Sequence, residues 1–175
     1  MAGPIDIAVW QGDIAELEVD ALVIGATESL LMDDGPAASV RRRGGEAIER
    51  DAVAQGPAEA GTSVVTHAGT LAASYVIHAV GIGHDRVADR RRLAAAIRSV
   101  MALTAPLQLR HLAVSLLGVE HGTFVPAEAA EILVDELTRA ADAGPAPVTI
   151  VIVTTNPTES WAVTDSLALE RARAR

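Results

Sequence analysis

From Ala21 to Ala26, every residue of "VDALVIGA" (19–26) is apolar or glycine. A strand with no polar side has no face to give to water, so it must lie inside a sheet that is covered above and below. Helices are the usual cover, which makes the chain an α/β protein. The remaining pattern agrees. Short β-rich runs stand at "IDIAVW" (5–10), "TSVVTHAG" (62–69), "SYVIHAVG" (74–81), "HLAVSLLG" (111–118) and "PVTIVIVTT" (147–155), the last Val-rich and expected to be central. Helical spacing of apolar residues appears at 44–56, 87–105 and 126–142, with a closing helix capped by Thr158. Pro36, after the turn residues Asp33-Asp34-Gly35, suits the first turn of a helix. The predicted order is ββα, ββ, αβαβα, with strands and helices alternating in the second half. That alternation predicts a mostly parallel central sheet with helices on both faces.

The 175 residues suit one domain spanning 1–175, and "AADAGPAPV" (140–148) reads as a tight helix-to-strand connection. With only Trp10, Tyr75, Phe124 and Trp161 as aromatics, the core must be aliphatic. There is no cysteine, which excludes disulfides, thiolate nucleophiles and Cys-ligated metals. "MAGPIDIAVWQGD" has neither a basic n-region nor a long apolar h-region, and the apolar runs are strand-length. A cytoplasmic location and no membrane association are expected. A formal charge of −9 argues against nonspecific nucleic-acid binding. The basic clusters at Arg41–Arg43 and Arg86–Arg92 read as solvated faces.

In open α/β sheets, ligands gather where the carboxyl ends of strands lead into helices. Two loops fit that rule, Thr27–Pro36 and Gly118–Pro126. Each feeds a helix N-terminus, which favours anions. Neither matches a P-loop or a GxGxxG fingerprint. The second loop, in "LLGVEHGTFVP", also carries a carboxylate, Glu120, between its glycines.

The chain resembles the macrodomain family from Ile5 to about Trp161. The resemblance rests on "GDIAELEVDALVIGA", the following "SLL", "RRRGGEAIERDAVAQGPAEAGTSVVTHAGTLAASYVIHAVG" and "LLGVEHGTFVPAEAA", in that order. It implies a three-layer α/β/α sandwich with a mixed, mostly parallel sheet that binds ADP-ribose in a surface cleft, and some members hydrolyse ADP-ribose esters. The resemblance places Asp13 and the backbone of Ile14 at adenine and Gly35 in the loop around the distal ribose and diphosphate. Gly118, Val119, Gly122 and Thr123 fall in the phosphate loop. Phe124 falls against the distal ribose, and Asn156 near adenine. Read by itself, Asp13 is a turn cap and Phe124 a lone core anchor.

Departures from the family pattern bear on activity. "IGAT" stands where hydrolytic members carry "NAAN", so Thr27 replaces an Asn that orients ribose and water. Ala37 stands where many hydrolases have a water-positioning Asp. Glu120 replaces a phosphate-loop glycine, and Asp33 and Asp34 replace small residues. Ester hydrolysis needs a positioned water and a group to activate it; Ala37 supplies neither. A diphosphate carries roughly two negative charges, and like charges within ~4–6 Å oppose its binding. The three acidic side chains either crowd the diphosphate or point outward. Asp33, Asp34, Glu120 and His121 are the candidate catalytic groups of last resort. His78 reads as structural. No H-x-x-H or His-plus-carboxylate motif supports a metal, and no cofactor is expected.

Three functions remain open on the sequence. The first is binding of ADP-ribose or an ADP-ribosylated protein with weak or absent catalysis. The second is an ADP-ribosyl hydrolase or O-acetyl-ADP-ribose deacetylase using non-standard residues. The third is a degenerate macrodomain acting through protein–protein contacts. Saturable ADP-ribose binding separates the first two from the third, and turnover separates the second from the first.

Overall fold

The computed structural model describes residues 5–143 and 148–175. Six strands form one sheet: β1 (Asp6–Gln11), β2 (Ala21–Thr27), β3 (Thr62–His67), β4 (Tyr75–Ile82), β5 (His111–Ser115) and β6 (Thr149–Thr154). Their order is β1-β6-β5-β2-β4-β3. All neighbours run parallel except β3, which is antiparallel to β4. The sheet is therefore mixed and mostly parallel, and β6 is an interior strand. Part of the 140–148 connection lies outside the described residues, as does residue 147.

Helices α1 (Gly35–Gly44) and α2 (Ala47–Gln55) cover one face, and α3 (Arg90–Ala102), α4 (Pro126–Ala143) and α5 (Pro157–Arg173) the other. The two cores show why β2 is apolar throughout. Leu22 and Ile24 pack with Val40 and Ile48 on the first face. Ala21 and Val23 pack with Leu93, Ile97 and Leu133 on the second. Among the described residues Phe124 is the one fully buried ring of the second core, and the partly buried Tyr75 packs against it.

The helices differ from the predicted ones at their ends, for local reasons. Two helices fill 35–55 rather than one, because Gly45 (φ 107) stops α1 and donates its N–H back to the Arg41 carbonyl. Helix α3 begins at Arg90, not at 87, because Asp89 accepts from the N–H groups of Arg91 and Arg92. Helix α5 is capped by Asn156 rather than Thr158: the Asn156 side chain accepts from the Glu159 N–H.

The chain reverses its direction of sheet growth at β2. From there β4 and β3 extend one way, and β5, β6 and β1 the other. Asp20 fastens this seam at the amino ends, where its Oδ2 accepts from the N–H groups of Arg110 (2.7 Å) and His111 (2.8 Å). The backbone bond from Arg110 is the main cause that holds the Asp20 carboxyl below its ordinary range. At the carboxyl ends of the same seam, the loops after β2 and β5 face each other. Among the described residues no helix is long and apolar enough to cross a membrane.

Candidate functional site

The cleft lies at the carboxyl ends of the strands, at the reversal in strand order. It has two open compartments that share Gly35, Pro36, Val153 and Thr155. The outer compartment, about 270 Å³, is bounded by Gln11–Ile14, Ser39 and Arg42. The central one, about 230 Å³, is bounded by Asp34, Val119, Glu120, His121 and Glu159.

Asp13 stands at the outer compartment and caps a short 3₁₀ turn over Ile14–Glu16. Its Oδ1 accepts from the Ala15 N–H at 3.0 Å, and its Oδ2 accepts from the Ser39 hydroxyl at 2.6 Å. Arg43 lies 3.7 Å from Oδ2. These contacts fix the carboxylate and leave the buried Ile14 lining the compartment beside it. Arg43 also pairs with Glu16, and Arg41 with Glu49, so two members of the basic cluster are ion-paired. Arg42 reaches the compartment's edge.

Gly35 opens α1 with φ 54, a backbone state that glycine adopts without the Cβ penalty. The loop after β5 needs the same freedom at Gly118 (φ 97) and Gly122 (φ 67). His121 between them also has positive φ, at 57. The loop is pinned by the Phe124 N–H donating to the Gly118 carbonyl at 2.9 Å and by the Thr123 hydroxyl donating to the Glu120 carbonyl at 3.0 Å. Residues 119–123 make two overlapping tight turns, the Gly122 N–H donating to the Val119 carbonyl at 3.1 Å and the Thr123 N–H to the Glu120 carbonyl at 3.3 Å, inside what the sequence presents as plain loop.

The three acidic side chains separate in this frame. Asp33 points outward, 3.9 Å from Arg41. Asp34 approaches His121, Oδ2 to Nδ1 at 3.1 Å, so this pair joins the two loops across the cleft. Glu120 turns inward. Its Oε2 accepts from the Gly118 N–H at 2.7 Å. The residue as a whole is half-buried, but Oε1 is shut off from solvent and has no hydrogen-bond partner. Burial pushes the Glu120 carboxyl up to about 7. The N–H groups of Glu120 and Gly118 oppose that rise, and the charges of Asp34 and Glu159 add to it.

Of the other residues singled out in the sequence, Thr27 borders the inner end of the cleft, with its hydroxyl 2.9 Å from that of Ser29. Ala37 borders it too and carries no polar side-chain atom. Val119 lines the central compartment. Phe124 belongs to the core and Asn156 to the α5 cap, and neither lines the two compartments. His78 is fully buried, 3.0 Å from the Thr66 hydroxyl, and burial lowers it to about 4, so it is neutral. Among the described residues no group of three His, Asp or Glu side chains is placed to hold a metal ion.

Sequence reading passed over Thr155, Glu159 and Gly25. Glu159 is buried and accepts from the Thr155 N–H at 2.7 Å, while its own N–H goes to Asn156. The spacing Asn156-x-x-Glu159 is a capping-box pattern that would have located both residues. Gly25 has no such signal, because its role depends on Glu120, which is remote in sequence.

Comparisons with known proteins agree with this architecture. A family model described as "Macro domain" matches residues 23–133. An Aquifex aeolicus protein is 30% identical over 158 residues, covering 90% of this chain and 96% of that one. A Mycobacterium bovis protein is 31% identical over 135 residues, and there the match spans only 38% of the relative's length. Among solved structures, an Oceanobacillus iheyensis macrodomain with MES bound superposes with a TM-score of 0.87, at 16% identity, over 94% of this chain and 92% of that one. A Trypanosoma brucei macrodomain in complex with ADP-ribose gives a TM-score of 0.83, at 20% identity, over 92% and 68%. At these identities the superpositions establish the fold.

Proposed function

The chain belongs to the macro domain family, and from that premise we propose that its cleft binds ADP-ribose, free or attached to a protein, with weak or absent catalysis. The observation that carries this reading is the pair of joined compartments at the strand carboxyl ends, with Asp13 fixed at one end and two helix-feeding loops at the other. In this reading adenine takes the outer compartment beside Asp13 and the Ile14 backbone, and the diphosphate lies between the starts of α1 and α4. The Trypanosoma brucei relative carries ADP-ribose in its solved complex, which supports the choice of ligand.

Weak catalysis follows from the inner end of the cleft. The Ala37 side chain has no atom to hold a water, and the Thr27 hydroxyl is engaged with Ser29. Calorimetry with ADP-ribose tests the binding, and release of ADP-ribose from a modified protein tests turnover. Saturable heat without turnover is expected. Absence of heat at millimolar ligand, with the fold intact, removes the reading.

One observation favours a hydrolase instead. The Asp34–His121 pair spans the cleft at 3.1 Å and has the composition of an oriented base. That reading requires turnover that disappears in both Asp34→Asn and His121→Ala.

A further inference from the structure

The inner end of the space between the two loops, beside the open central compartment, is filled from within. The space bounded by Gly25, Thr27, Asp34, Ala37, Glu120 and His121 measures about 10 Å³. A single water needs roughly 10–15 Å³, so no phosphate fits there. What fills the space is the Glu120 carboxylate, which holds the Gly118 N–H and lies against Gly25 so closely that a Cβ at 25 would collide with it. Gly25 stands in the middle of β2 with no positive φ. Glycine weakens a strand interior, where it has no side chain to pack. The room it leaves for Glu120 is the physical account of its presence. The inward carboxylate is also poorly satisfied, because Oε1 has lost water and gained no partner.

We propose that Glu120 is a displaceable internal stand-in for the ligand's phosphate: it occupies the anion position of the cleft, Gly25 is shaped to admit it, and a diphosphate binds only when the side chain swings out. This proposal rests on the reading of the cleft as an ADP-ribose site.

Displacement has a definite proton signature. Inside, burial raises the carboxyl to about 7, whereas the free side chain titrates near 4.5. Between those values the inward form holds a proton that the outward form releases, so opening becomes easier by about tenfold per pH unit and levels off above the higher value. The charged groups facing Glu120 are Asp34 at the start of α1, Glu159 on α5 and His121 in its own loop. β2 contributes Gly25, Ala26 and Thr27, none of them charged. Asp34 and Glu159 push in the same direction as burial. His121 is present in every Glu120 variant, so its contribution is common to the proteins compared. If a diphosphate instead bound beside an inward Glu120, repulsion would make affinity fall as pH rises.

The test is titration of ADP-ribose by calorimetry at pH 6 and pH 8 into the wild type, Glu120→Gly, Glu120→Gln and Gly25→Ala. The wild type is expected to bind on the order of tenfold more tightly at pH 8, with release of about one proton at pH 6 and little at pH 8, detected by changing the buffer's ionisation enthalpy. Glu120→Gly and Gly25→Ala, which empty the position or exclude the side chain, are expected to exceed the wild type at pH 6 by about tenfold or more and to lose the gain with pH. Glu120→Gln keeps the shape without the charge and has no proton to release, so its affinity should be the same at both pH values and lie below the wild type's at pH 6. Equal affinities of wild type and Glu120→Gly at both pH values overturn the proposal and leave the ligand reading standing. A wild-type affinity that falls with pH also overturns it. No binding by any of the four folded proteins overturns both.

Discussion

Replacing Glu120 by Gln should change the pH dependence of stability by an amount that follows from the structure. The folded protein holds the Glu120 carboxyl at about 7, and its ordinary value is 4.5. Between these pH values the native state binds a proton that the unfolded state has lost, so stability falls as pH rises through the window. A tenfold difference in proton affinity between the two states is worth about 1.4 kcal/mol, which gives a loss of about 3 kcal/mol from acid to neutral pH. The glutamine variant cannot titrate and lacks this loss. His78 titrates in an overlapping window with the opposite sign: its folded value, about 4, makes it cost stability as pH falls below 6.5. It is present in both proteins and cancels in the difference. Urea unfolding of both at pH 5 and pH 8 measures that difference, which should move in favour of Gln by up to about 3 kcal/mol. The ceiling has a meaning of its own. Once the ionised carboxylate costs more to bury than to release, the side chain leaves, and the curve flattens at the free energy of opening. A difference that stays constant within about 0.5 kcal/mol, a typical surface substitution, would mean that the carboxylate is already in water, and would refute the buried geometry.

Three other substitutions separate ligand contacts from scaffolding. Asp13→Ala removes the acceptor for the Ala15 N–H and the Ser39 hydroxyl; it should cost about 1–2 kcal/mol in chemical unfolding and weaken ADP-ribose binding by about tenfold, the worth of one charge-assisted hydrogen bond. Phe124→Ala empties a core position that is 8% exposed and should destabilise by about 3–5 kcal/mol in the same assay. Asn156→Ala removes the α5 cap and should cost about 1 kcal/mol, with ADP-ribose affinity unchanged.

Much of this architecture was legible because it depends on local rules. The fully apolar "ALVIGA" of β2 required cover on both faces, and the alternating strands and helices of the second half required parallel neighbours. The family resemblance implies ligand contacts at Asp13, Gly35, Gly118, Gly122, Phe124 and Asn156 among others; Asp13 and Gly35 line the cleft and Gly118 and Gly122 shape the loop after β5, while Phe124 lies in the core and Asn156 in the α5 cap. Helix ends were less legible. Thr158 and Asn156 are both good caps, and only the register of α5 decides between them. Side-chain direction was not legible at all. The sequence leaves Asp33, Asp34 and Glu120 equivalent, yet one meets solvent, one meets His121 and one is buried. That sorting depends on the φ of Gly118 and on the missing Cβ of Gly25, nearly a hundred residues from Glu120.

The most direct test of the central claim is a calorimetric titration of ADP-ribose into the wild-type protein at pH 8, run beside Asp13→Ala and Glu120→Gly. Saturable binding that weakens in the first variant and strengthens or holds in the second is the predicted result. No saturable heat at millimolar ligand in either the wild type or Glu120→Gly, with both proteins folded, would contradict it.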